Sequence, residues 1–131
     1  MKGSYLLLLK IKKPLKIKIG SLGLIKFQKG NYIYVGSALN SLENRIKRHF
    51  KKTKKKHWHI DYLTTNKNVK ILKAVYKISN KKLECKIAKR INKLGKPIEK
   101  FGSSDCKCKG HLFKIKDFNQ IKISASKVFL K

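Results

Sequence analysis

Residues 15–19 read Leu-Lys-Ile-Lys-Ile, an apolar-polar alternation with the two-residue period of a half-buried strand, and the segments on either side share that character. Residues 4–12 predict a strand through a run of leucines, with Pro14 turning the chain into the alternating segment. Beyond Gly20-Ser21-Leu22-Gly23, residues 24–28 alternate again. Gly30-Asn31 then predicts a turn into residues 32–35, a β-branched and aromatic strand. An antiparallel sheet of hairpins is the economical arrangement, so the rest of the chain must pack on a sheet.

From Ser41 the period changes. Ser41 is placed to cap a helix running to about residue 51, in which Leu42, Ile46 and Phe50 recur at spacing four while Arg45, Arg48 and His49 share another face. Residues 51–56 hold five lysines in six positions, the pattern of a solvated basic loop. In residues 57–65, Trp58, Ile60, Tyr62 and Leu63 supply apolar mass that calls for order, without a period that decides its type. Residues 69–78 predict another strand. Residues 81–94 predict a second helix, with Leu83, Ile87, Ile91 and Leu94 on one side and Gly95 and Pro97 closing it. Residues 101–110 read as a loop, and residues 112–115 and 121–130 as late, edge-like strands. No repeat or linker interrupts the pattern. The expected fold is α/β in the α+β sense: a central, mostly antiparallel sheet flanked by helices with one extra hairpin, residues 1–131 forming a single domain.

Charge narrows the partner. The chain has 35 Lys and Arg against 6 Asp and Glu, a net charge of +29, while 41% hydrophobic residues still suffice for a core. Charge on this scale opposes compaction by self-repulsion and calls for a polyanion, and nucleic-acid phosphates are the commonest. The dominance of lysine over arginine also fits an Ile/Lys/Asn-rich genome, so charge alone leaves compositional bias open. No basic segment carries the long apolar face of an interfacial helix. The apolar run at residues 5–9 is far shorter than a signal h-region or a spanning helix. The expectations are no membrane association, an encoded N-terminus that is also the mature one, and a cytoplasmic location. Three cysteines without an export signal fit free thiols or metal ligands in a reducing compartment.

Four separated pieces align: Gly3-Ser4-Tyr5 entering the first strand, Tyr34-Val35-Gly36 ending a later one, Arg45 nine residues after that glycine, and Glu84 on the second helix. Their order resembles the GIY-YIG nuclease family over about residues 3 to 98. The chain is most similar to its small, mostly archaeal Uri-type branch, through residues 3–9, 32–38, 57–63, 84–88 and 101–113. Ser4 stands where the family motif has isoleucine, on what reads as the exposed side of the strand. The 28 residues between Tyr5 and Tyr34 imply the extra hairpin. The resemblance implies a metal-dependent endonuclease, acting on DNA more than RNA, in repair or processing. A non-catalytic DNA- or RNA-binding module on the same scaffold is the alternative, and a ribosome-associated basic protein would explain the charge but not this set.

Phosphodiester hydrolysis needs a base for water, a cation for developing charge, and an acid or metal for the leaving oxygen. By resemblance Tyr5 is the base, Tyr34 orients it, Arg45 stabilises the transition state, and Glu84 holds Mg²⁺ or Mn²⁺ with help from substrate phosphate. Surrounding cations would favour the Tyr5 phenolate. Read locally, both tyrosines also suit packing on a sheet, and Glu84 suits a helix start. His49 and Arg48 could touch the backbone or protonate the leaving group, or form a solvated helix face. Lys52, Lys54, Lys55 and Lys56 are candidate phosphate contacts, and Trp58 is either core or a base-stacking platform. His57, His59 and Asp61 have the look of a metal cluster at a spacing that alone decides little. Cys106, Cys108 and His111, with Cys85, could form a structural Zn²⁺ site, although C-x-C departs from the usual zinc spacing.

Overall fold

The strand β1 (Gly3–Ile11) is hydrogen-bonded along both edges, antiparallel to β4 (Gly30–Ala38) on one side and to β5 (Val69–Ile78) on the other. The structure, a computed structural model, describes residues 2–38, 40–78, 84–101, 110–118 and 127–129. With the two-residue β6 (Lys96–Pro97), β7 (Leu112–Ile115) and β8 (Lys127–Phe129), the sheet runs β6-β7-β4-β1-β5-β8, every described pairing antiparallel. The mixed α+β architecture expected from the sequence is therefore present. The segments β2 (Leu15–Lys18) and β3 (Leu24–Phe27) pair only with each other, as the extra hairpin.

Both faces of β1 are covered, which is why it reads as a nearly continuous apolar run rather than an alternation. Tyr5, Leu7, Leu9 and Ile11 point to a layer made by the β2–β3 ribbon, α1 (Leu42–Phe50) and α2 (Asp61–Thr64). Leu6 and Leu8 point the other way, to Ala88 and Ile91 of α3 (Glu84–Asn92). Ser4 lies on this second side and is 1% exposed, its Oγ without a hydrogen-bond partner among the described residues. The exposed side expected at Ser4 is thus absent, because α3 covers the face that a lone hairpin would leave wet.

The helices α1 and α3 are on opposite faces, yet both begin at one rim of the sheet. Gly3 of β1 is opposite Ala38 and Ile78, and α1 follows the first of these strand ends as α3 follows the second. Both run toward the opposite rim, where Lys52 after α1 bonds to the Val69 carbonyl across from Ile11, and Lys96 after α3 pairs with Lys114.

Two local readings change. Gly30 and Asn31 are the first residues of β4, not a turn, since the ribbon delivers the chain directly into the sheet. Ser41 occupies the N-cap position of α1, but in the left-handed conformation (φ 51°, ψ 43°) that leaves its side chain unable to cap. The undecided segment 57–65 closes on a single helical turn, α2. The second helix is described from Glu84, so Leu83 of its expected stripe lies outside the described residues, as does most of the late strand expected over 121–130. No helix among the described residues is long and apolar enough to cross a membrane.

Candidate active site

Antiparallel register puts Tyr5 directly across from Gly36. Any Cβ at Gly36 would overlap the Tyr5 ring, so this glycine lets the phenol lie on the backbone of β4. Tyr34, two residues earlier and on the same face, has its ring centroid 6.5 Å from that of Tyr5. The helix α1 then brings His49 against both: its ring is 5.4 Å from Tyr5 and 6.1 Å from Tyr34, and His49 Nε2 is hydrogen-bonded to Tyr5 Oη at 2.7 Å.

His49 is 1% exposed. Burial, followed by the nearby Lys54 ammonium, pushes its pKa down to about 3, so the imidazole is neutral at any physiological pH. One partner of the Tyr5 hydroxyl is this neutral imidazole.

One turn before His49 on α1, Arg45 donates from Nη1 to the Ser37 carbonyl at 2.6 Å and stacks 4.8 Å from the Trp58 ring centre. A guanidinium has five N–H groups, so this anchorage leaves donors for a phosphate. Trp58 also carries Arg48 at 4.5 Å and lies 6.1 Å from His49. Its ring, half-buried, serves as a platform for two guanidinium groups, a role between the two expected for it.

Two further basic residues, Arg48 and Lys54, gather on one carboxylate. Asp61 is fully buried and accepts both Nη groups of Arg48, at 2.9 and 3.0 Å, and the backbone N–H groups of His57 and Trp58. These donors outweigh the cost of burying Asp61 and hold its pKa below the usual carboxylate value. Its oxygens are spent on the protein, which leaves the His57, His59 and Asp61 motif without the acid that a cation would need. Lys54 Nζ donates to the Arg48 and His49 carbonyls at the end of α1 and lies 3.8 Å from Asp61. Burial brings the Lys54 pKa down to about 8. Lys52 is turned onto the carbonyls of Asn66 and Val69. Lys52 and Lys54 are thus pinned by hydrogen bonds, while every residue of the stretch 51–56 except Lys54 is exposed, as expected of a solvated basic loop. Lys55 and Lys56 remain exposed, the Lys56 ammonium 5.7 Å from the Tyr62 ring.

The backbone of Glu84 opens α3 beyond the end of β5, at the rim that holds Gly3. Among the described residues no three His, Cys, Asp or Glu side chains converge on a metal-binding group. Of the expected zinc ligands, Cys85 Sγ and the buried His111 Nε2 are 4.0 Å apart, while Cys106 and Cys108 lie outside the described residues.

Sequence reasoning missed what Asp61 does. The available signal was its rarity: a lone acid beside five lysines and a helix bearing two arginines must neutralise something.

A buried tyrosine-histidine pair, with a second tyrosine and an arginine beside it on an antiparallel sheet with helices on both faces, defines a basic α+β domain with one organised polar site. The chain belongs to the family described as "Domain of unknown function DUF123", whose model matches residues 4–131. No curated protein and no solved structure matches it.

Proposed function

We propose that the chain is an endonuclease that hydrolyses phosphodiester bonds in nucleic acid, DNA before RNA, of the GIY-YIG type and its Uri-type branch. The observation that carries the reading is the 2.7 Å bond between Tyr5 and His49, formed where Tyr34 and Arg45 also gather. A phenol is a weak base by itself; the neutral imidazole accepts the Tyr5 hydroxyl hydrogen and so turns the Tyr5 oxygen to accept from the attacking water.

With the His49 proton on Nδ1, Nε2 is free to accept from Tyr5. As a water oxygen bonds to phosphorus, it donates a hydrogen bond to the Tyr5 oxygen and its proton leaves to solvent. The bond from phosphorus to the leaving oxygen breaks, and that oxygen takes up a proton from solvent. The free N–H groups of Arg45 meet the charge that grows on the non-bridging oxygens. Glu84 would hold Mg²⁺ or Mn²⁺, which supplies charge neutralisation at the leaving oxygen.

The test is incubation of the purified chain with labelled single- and double-stranded DNA and RNA, in Mg²⁺ or in EDTA. Cleavage is expected only with the metal. Tyr5→Phe and Glu84→Gln should lower the rate by roughly 10²–10⁴-fold while affinity survives. Equal cleavage by wild type and Glu84→Gln overturns the assignment. Tight binding without cleavage by the wild type would make the chain a non-catalytic nucleic-acid module.

A further inference from the structure

In the β2–β3 ribbon, Leu15, Ile17, Ile25 and Phe27 pack inward on the layer that contains Tyr5 and Tyr34. The register fixes what faces outward: Lys16 is directly opposite Lys26, and Lys18 is directly opposite Leu24, which is 58% exposed. All three lysines are exposed. Side chains directly opposite on paired strands are about 5 Å apart at Cβ, and neighbours along one strand are about 6.6 Å apart. Like charges in that arrangement repel and weaken the hairpin. The ribbon pairs with no other strand, so nothing in the sheet compensates for that repulsion.

The ribbon also joins the site built around Tyr5 and Trp58. Gly20 at its tip has φ 45°, and a Cβ there would lie 3.4 Å from the Tyr62 hydroxyl. Tyr62 in turn carries Lys56, and it belongs to α2, the same turn whose first residue, Asp61, holds Trp58 and Arg48 in place. The tip of the ribbon therefore adjoins Tyr62 and Lys56, next to the turn that holds Trp58 and Arg48.

We infer that this outer face, Lys16, Lys18 and Lys26, docks the backbone of double-stranded DNA and holds the duplex while a neighbouring phosphate enters the site. The inference rests on the nuclease reading only in taking nucleic acid as the partner. Charge complementarity selects a polyanion. Form selects B-DNA, whose major groove is about 12 Å wide and admits a two-stranded ribbon, whereas the A-form RNA groove is deep and too narrow for side chains.

Binding is measured in EDTA, so that cleavage plays no part, by anisotropy of short labelled duplex DNA, duplex RNA and single-stranded DNA over a series of KCl concentrations. The triple variant Lys16→Gln, Lys18→Gln, Lys26→Gln should lower the slope of log K against log[KCl] on duplex DNA by between about 2 and 3, because each lost phosphate contact removes about 0.9. The comparison triple Lys73→Gln, Lys86→Gln, Lys89→Gln, on exposed positions of β5 and α3, should leave the slope unchanged. Arginine at the three ribbon positions should keep the wild-type slope, and the glutamine variant should melt no lower than wild type. Equal slope losses from both triples overturn the ribbon's role. Equal losses on duplex RNA or single strands overturn the assignment to duplex DNA. A chain that fails to cleave but shows the ribbon-specific loss would refute the nuclease reading and leave the docking surface standing.

Discussion

Two buried side chains make opposite claims on stability. Ser4 hides a hydroxyl that has no hydrogen-bond partner among the described residues, which costs of order 1–3 kcal/mol. Ser4→Ala removes the group with little change of volume and should stabilise the fold by about 1 kcal/mol in urea unfolding. A loss of similar size would show that the hydroxyl is satisfied in solution. His49 couples folding to pH. Its folded pKa of about 3 lies below the ordinary value of 6.5, so between those limits the unfolded chain takes up a proton that the folded one refuses. The stability conferred by the neutral imidazole is complete above pH 6.5 and declines as pH falls toward 3. Between pH 7.5 and 5 the loss is about 2 kcal/mol. His59, shifted the same way by burial, adds in the same direction, so His49→Gln should flatten the pH dependence without abolishing it. An unchanged slope in that variant would show that His49 is protonated in the native state.

At the scale of elements, the segment between α1 and β5 is held by charge more than by regular structure. Asp61→Ala would leave the Arg48 fork, the Lys54 ammonium and two backbone N–H groups without their acceptor, and should cost about 3–5 kcal/mol by denaturant titration. Asp61→Asn, which keeps an acceptor, should cost less. Little of this was legible in the sequence, because ion pairing leaves no periodicity. The strands and helices were readable for the opposite reason: alternation in residues 15–19 and spacing four from Leu42 to Phe50 are direct imprints of one buried face. Reading failed where a neighbour remote in sequence decided the outcome. Ser4 is buried by α3, the Gly30-Asn31 pair is drawn into the sheet by Lys10 and Ile11, and β6 exists because β7 offers it an edge. The candidate site divides similarly. Tyr5, Tyr34 and Arg45 follow from motif order, whereas the burial of His49 and its bond to Tyr5 depend on where α1 docks.

For the whole molecule, the proposed binding of nucleic acid to a chain of net charge +29 would make folding and polyanion binding one linked equilibrium. Duplex DNA in EDTA should raise the melting temperature at low salt, and the increment should shrink steeply as KCl is added. An increment independent of salt would mean that screening of charge is not what DNA supplies. Lysine is not the sole origin of the attraction. Since α1 and α3 leave the same rim of the sheet and point away from it, both direct the positive ends of their peptide dipoles toward the edge where Gly3 and Gly36 lie. That part of the field is written in backbone geometry. It does not titrate and survives neutralisation of every ammonium group, so acetylating all the lysines would weaken the hold on phosphate far from this edge more than the hold at the edge itself.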